Sequence, residues 1–217
     1  MYGKPSPKGA GNGWKGWYKE VYFRSLREVS YLIYLDKNNI LWTPAEKKEF
    51  TIMLAGRKLT LETGVLANQS HGAVTVSLGD TVVFASAMMG GVRGEVDFFP
   101  LMVDYEEKYY AAGKIKGSRF VKREGRPSER AILNSRLIDR PIRPLFPKGM
   151  VNDVQMICTV LSADLEVEPG TTALIAASAA LCISGMPFTG PVGAVRVGLV
   201  KNDSGEEIII NPTYKQV

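Results

Sequence analysis

From Phe50 to Met88, apolar and polar residues alternate in short runs broken by turn residues, a two-residue period that suits pleated strands and no helix. In "FTIMLAGRKLTLETG" two strands flank a turn at Gly56, with Leu59 and Leu61 set against Lys58, Thr60 and Glu62. "GAVTVSLGDTVVFASAMM" repeats the device. Val74, Val76 and Leu78 share one face, and Gly79-Asp80 is a two-residue turn of the kind that closes a hairpin. The second strand, Thr81 to Met88, is nearly all apolar or small, as a central strand is. Two hairpins in succession commit this part of the chain to a sheet.

The C-terminal half supplies another strand and the cover. "DVQMICTVLSAD" (153–164) reads as a strand, and "TTALIAASAALCISG" (171–185) as a small-residue helix stopped by Gly185 and Pro187. "GAVRVGLV" and "EEIIINP" form a last hairpin around Asn202-Asp203-Ser204-Gly205. Hairpins first and helices later predict an α+β fold, a mixed sheet covered by helices. The sequence contains no internal repeat.

The 217 residues, 45% hydrophobic and 23% charged, suit one domain with an appendage. The longest apolar runs fall far short of the ~20 residues a membrane helix needs, and the first residues lack the apolar core of a secretory signal. Cys158 and Cys182 have no metal-type spacing and read as reduced core residues of a cytosolic protein. Residues 1–13, rich in Gly, Pro, Lys and Ser, are expected to be mobile. Residues 14–35 suit an amphipathic helix or a strand pair. Their aromatic content would fit a membrane surface or a partner, but the apolar face is irregular, so a tail left from an upstream region or an early start is the preferred reading. The expected boundary separates a poorly ordered extension, 1–45, from a domain over 46–217.

Charge is uneven. Residues 1–48 hold nine Lys/Arg and four acids, leaving the remainder balanced at eighteen of each, yet within it residues 114–148 hold eleven bases against Glu124, Glu129 and Asp139. A strongly positive patch in a neutral body is suited to a polyanion, and three acids can pair with only a minority of the bases. "RPSERAILNSRLIDRPIRP" predicts a helix with Pro127 in its first turn, Glu129 at its positive end, and Ile132, Leu133 and Leu137 as its apolar face. Arg136 and Arg140, four apart, lie one above the other beside that face. Pro141 is expected to end the helix near Arg140, with Arg143 projecting from a rigid turn. Guanidinium forks on stiff backbone match phosphate oxygens bidentately. The preceding "AAGKIKGSRFVKREG" is a basic, Gly-rich loop carrying Phe120, and cations with one aromatic face suit single-stranded nucleic acid. Its Gly113-Lys114 is no nucleotide P-loop, because Ile115 stands where Ser or Thr is required.

The stretch "DFFPLMVDYEEKYYAAGKIKGSRFVKREGRPSERAILNSRLIDRPIRPLFPKG", with "LTLETGVLANQSHGAV", "GDTVVFASA" and "GMPFTGPVGAVRVG" around it, resembles the first RNase PH-type core domain of the polynucleotide phosphorylases (polyribonucleotide nucleotidyltransferases). The resemblance runs from about Phe50 to the C-terminus, where that core would be incomplete; it gives residues 1–45 no counterpart. It implies a phosphate-dependent 3′-to-5′ exoribonuclease that degrades mRNA to nucleoside diphosphates and runs in reverse as a polymerase. It also implies a cytoplasmic homotrimer, single-stranded RNA and inorganic phosphate as substrates, an RNA-degradation complex among candidate partners, and Mg2+ bound outside this chain. Phosphate and metal ligands of the family lie in the second core, so no catalytic or metal-binding residue is expected here, and the chain alone is expected to be inactive. The first core contributes an RNA-gripping loop, which maps onto Phe120, Val121, Lys122 and Arg123, with Val121 in place of a second aromatic. Arg126, Arg136, Arg140 and Arg143 match the family's remaining RNA-lining arginines. Two other readings stay open: a single-core, tRNA-trimming phosphorolytic nuclease, and a non-catalytic RNA-binding ring subunit. His71 is the only histidine, so no His-based catalysis can be assembled on this chain, and it reads as a turn residue. Asp97, Asp104, Glu106 and Glu107 read as loop and ion-pair residues.

Overall fold

A computed structural model of the chain describes residues 16–18, 21–23, 48–92, 97–115, 125–202 and 205–216. The chain divides into two units, Met1–Glu46 and Lys47–Val217. In the first, strand β1 (Gly16–Tyr18) pairs antiparallel with β2 (Val21–Phe23). Of the two conformations expected near here, the backbone adopts the strand pair. Residues 1–13 lie outside the described residues.

The second unit is built on a six-stranded sheet with the order β3-β4-β5-β6-β8-β7. Its strands are β3 (Lys48–Leu54), β4 (Arg57–Thr63), β5 (Gly72–Leu78), β6 (Thr81–Val92), β7 (Leu101–Glu107) and β8 (Asn152–Ser162). All neighbours run antiparallel except β7 and β8, which are parallel, so the sheet is mixed as its patterning predicts. The β5–β6 hairpin closes at Gly79-Asp80, with Leu78 opposite Thr81 and Gly79 at φ 61°, a left-handed conformation that costs glycine nothing. Helix α1 (Glu129–Ile142) lies between β7 and β8 in sequence, and α2 (Pro169–Ile183) follows β8. A separate hairpin, β9 (Val197–Asn202) with β10 (Gly205–Ile210), ends the unit.

Alternation decides which face of the sheet is covered. Val74, Val76, Val83, Ala85, Ala87, Val154, Met156, Cys158 and Val160 are all buried, whereas their strand neighbours Thr75, Phe84, Gln155 and Thr159 are half-buried. The buried set meets the small face of α2, where Ala173, Ala176, Ala177 and Ala180 let the helix approach closely. At Gly72 the approach is closest. A Cβ there would stand 2.2 Å from the Ala180 carbonyl oxygen, so only glycine fits. Helix α1 packs beside α2 and against β7, burying Ala131, Ile138 and Ile142.

Three expectations need correction. The face of α1 that meets the sheet is Ala131, Ile138 and Ile142, not Ile132, Leu133 and Leu137; Leu133 is 66% exposed and Ile138 fully buried. The helix has two apolar rows, and periodicity alone does not say which row meets the sheet. Pro141 does not end the helix, which continues to Ile142 and a 3-10 turn at Arg143–Leu145. Proline removes one hydrogen bond, and in a last turn tied down by Ile138 and Ile142 that loss is tolerated. Cys158 is buried as expected, with its thiol pushed up to about 12 by burial, but Cys182 is exposed near the end of α2. Among the described residues no helix is long and apolar enough to cross a membrane.

Candidate RNA-binding surface

Helix α1 begins at Ser128, whose hydroxyl accepts from the Ala131 amide at 3.1 Å, with Glu129 complementing the positive end of the dipole. Pro127 therefore sits one residue outside the helix rather than in its first turn. With Ala131, Ile138 and Ile142 turned to the sheet, the 3.6-residue period turns Arg136 and Arg140 to the opposite side, where both are exposed. They are one turn apart, flanked by the exposed Ile132, Leu133 and Leu137. Arg126, just before the cap, is also exposed. Among the described residues no carboxylate forms an ion pair with Arg126, Arg136 or Arg140. These three guanidinium groups are the uncommitted arginines in the described part of the basic stretch.

Arg126 also lines a cavity of about 710 Å³ between the end of β7 and the start of α1, together with Glu106, Lys108, Tyr109 and Lys114. Phe120, Lys122 and Arg123 lie outside the described residues, so only Arg126, Arg136, Arg140 and Arg143 of the expected set have a described place.

Arg143 differs from the other three. Its Nε donates to Asp139 Oδ2 at 3.1 Å and its Nη2 to Asp139 Oδ1 at 2.7 Å, a bidentate pair one turn apart. Nη2 also donates to the Leu101 carbonyl and Nη1 to the Phe99 carbonyl, each at 3.0 Å. Four of the five guanidinium N–H bonds are thus spent inside the protein. The group also stands over the Phe99 ring, 5.9 Å from its centroid, and that ring packs on Phe146 at 4.8 Å. The expected projection from a rigid turn is replaced by a fold back onto β7.

A second committed arginine has no sign in the sequence. Arg130 Nη2 donates to Glu168 Oε2 at 2.5 Å, and the same oxygen accepts from the Tyr214 hydroxyl and from Arg196 Nη1 at 3.4 Å. Both guanidinium groups stand over the Tyr214 ring, with centroid distances of 5.7 Å for Arg130 and 5.2 Å for Arg196. Burial works against the charge of Arg130, but the Glu168 carboxylate outweighs it and holds the pKa above its ordinary value. Burial, with the hydrogen bond to Glu168 and its charge, raises the Tyr214 phenol. Glu168 stands at the N-cap of α2, 38 residues from Arg130, so neighbouring residues give no signal for the pair.

Asp104, Glu106 and Glu107, expected in a loop, lie within strand β7 instead. Glu106 pairs with Lys108 at 2.9 Å, and Glu107 accepts from the buried Tyr105 hydroxyl at 3.0 Å. His71 lies in the bend before β5, and its Nδ1 accepts the Met89 amide at 3.3 Å. Among the described residues no three His, Cys, Asp or Glu side chains converge on one point.

Comparison with known proteins places this geometry. Residues 55–187 match the first domain of the 3′ exoribonuclease family, RNase PH. Polyribonucleotide nucleotidyltransferase from Gloeobacter violaceus is 54% identical over 168 residues, 77% of this chain and 23% of its own length. The proteins of the same name from Moorella thermoacetica and Acidiphilium cryptum are 57% and 59% identical over 76% and 75% of this chain, and 22% of theirs. The chain thus spans just under a quarter of the length of these relatives. Rice (Oryza sativa) Rrp46 shares the fold with a TM-score of 0.54 at 17% identity, covering 81% of this chain and 73% of that one. A family match over more than half the sequence, on a mixed sheet with both helices on one face, leads to one conclusion: the chain belongs to the 3′ exoribonuclease family and carries its first domain, of the RNase PH type.

Proposed function

We propose that the chain is the RNA-gripping part of a phosphate-dependent 3′-to-5′ exoribonuclease, a polyribonucleotide nucleotidyltransferase. The observation that carries the RNA contact is the solvent side of α1, where Arg136 and Arg140 stand one turn apart on a helix anchored by Ile138 and Ile142, with no described carboxylate paired to either. The likeness to three polyribonucleotide nucleotidyltransferases at 54–59% identity supports the reaction.

In that reaction a phosphate oxygen attacks the terminal phosphodiester in line, the bond to the 3′ oxygen of the penultimate nucleotide breaks, and a nucleoside diphosphate leaves. The new 3′ oxygen takes up a proton, and the shortened RNA is ready for the next cycle. A strand that must advance one nucleotide per cycle needs grip without base readout, and guanidinium groups on the sugar–phosphate backbone supply it. Arg126, Arg136 and Arg140 are the residues for that role, with Phe120, Lys122 and Arg123 from the adjoining loop. Arg143 belongs to the same surface by resemblance, and its bonds to Asp139, Phe99 and Leu101 limit what it can offer a phosphate. The resemblance also supports a cytoplasmic trimer that uses magnesium, with phosphate and metal ligands in a second core.

The test is the full-length protein incubated with single-stranded RNA, with and without inorganic phosphate. Nucleoside diphosphates released only when phosphate is present are the expected result, with residues 1–217 alone releasing none. Nucleoside monophosphates released without phosphate would replace phosphorolysis by hydrolysis.

A further inference from the structure

We infer that Asp139 and Arg143 form a positioning pair, which aims Arg136 and Arg140 at RNA by locking the last turn of α1 to the edge of the sheet. The inference rests on the RNA-binding reading above and assigns Arg143 away from direct phosphate contact.

The argument starts from the edge. Among the described residues strand β7 pairs with β8 alone, and its other side presents backbone groups that no described strand receives. Near its start, the Phe99 and Leu101 carbonyls point to Arg143, which donates to both. Both oxygens of Asp139 accept two more donors of the same fork and hold its plane. One planar group therefore joins three places: a residue within α1, the 3-10 turn that continues it, and the beginning of β7. The Phe99 ring meets both this guanidinium and the Phe146 ring.

That junction fixes how α1 is rotated and how far it is advanced along the sheet. Arg140 lies three residues before Arg143, and Arg136 one turn earlier. A small roll at the helix end would swing both side chains, and contacts that position a strand depend on displacements of about 1 Å. Lysine cannot substitute for Arg143, because three donors on a single nitrogen cannot span a carboxylate and two separate carbonyls. Asp139, an acid within a surface that receives polyanions, is explained by this role and by no direct contact with RNA.

The sign of one substitution separates the readings. Asp139→Asn removes a negative charge near the proposed RNA path, so electrostatics alone predicts tighter binding and a steeper dependence on salt. The positioning pair predicts the reverse. In the full-length protein, binding of a labelled single-stranded oligonucleotide across a salt series should be severalfold weaker for Asp139→Asn and for Arg143→Lys, with a slope of log affinity against log salt no steeper than that of the wild type. Asp139→Glu, which keeps the charge, should recover part of the loss, and serves as the readable variant if Arg143→Lys does not fold. Tighter binding or a steeper slope in Asp139→Asn would overturn the inference, since the freed Arg143 would then be holding phosphate. Unchanged affinity with only a lower melting temperature would reduce the pair to a stability element and overturn it equally. A wild-type protein that fails to bind the oligonucleotide would instead remove the RNA-binding reading, and the inference with it.

Discussion

Replacing Arg140 with alanine removes one guanidinium from the exposed side of α1 without disturbing the buried side, because Ile138 and Ile142 carry the packing. If Arg140 meets one backbone phosphate of a single strand, its loss lowers the slope of log affinity against log salt by about 0.7. Between about 50 and 200 mM salt, the wild-type protein should then lose about 2.6-fold more affinity than the variant over the same range. Arg140→Lys restores the charge, and with it the slope, but loses the bidentate fork, so its single-turnover phosphorolysis should stay close to that of the alanine variant. The assay is oligonucleotide anisotropy over a salt series on the full-length protein, paired with rapid-quench phosphorolysis. A slope untouched by Arg140→Ala would refute the phosphate contact, and an Arg140→Lys variant silent in both assays would refute the need for a fork.

Two further outcomes test the frame that holds this surface. Ile138→Ala should destabilise the domain by about 2–5 kcal/mol, and Leu133→Ala by no more than about 0.5 kcal/mol, reversing the ranking that their place in the sequence pattern suggests. Urea unfolding with hydrogen exchange of the α1 amides reads both, and equal costs would contradict the assigned helix face. Asp164 accepts from the Glu166 and Val167 amides and the Thr81 hydroxyl; burial works against its charge, but these bonds and Arg57 hold its pKa below the ordinary value. A depressed carboxylate contributes stability above its unfolded pKa of about 3.9 that is lost as pH falls through the folded value. The stability gap between wild type and Asp164→Asn should therefore close on acidification, and a gap constant with pH would contradict the role of the charge.

Except for β7, where Asp104, Glu106 and Glu107 read as loop residues, the strands of the sheet are legible in the sequence because a period of two is a local property. Leu59, Val74, Val76, Val83 and Val160 all turn to the covered face, as alternation requires. Helix α2 is legible from its run of small residues between Pro169 and Gly185. Helix α1 is only half legible. Its existence follows from local residues, but its ends shift, with Ser128 capping it after Pro127 and the helix running past Pro141 to Ile142; both of its apolar rows satisfy the helical period, and contact with the sheet decides between them. The arginines divide the same way. That Arg136 and Arg140 stand one turn apart follows from spacing, whereas the commitment of Arg143 depends on carbonyls 42 and 44 residues away, and that of Arg130 on a carboxylate 38 residues away. The Asp139–Arg143 spacing of four is the one local hint, since acid and base at that interval meet on a helix.

The most direct test of the whole account is arginine footprinting of the full-length protein with a dicarbonyl reagent, read by mass spectrometry with and without single-stranded RNA. The account predicts that Arg136 and Arg140 react freely and become protected when RNA is added, while Arg143, with four of its five donors engaged, is slow in both states. Protection confined to Arg143, with Arg136 and Arg140 reacting equally whether or not RNA is present, would contradict it.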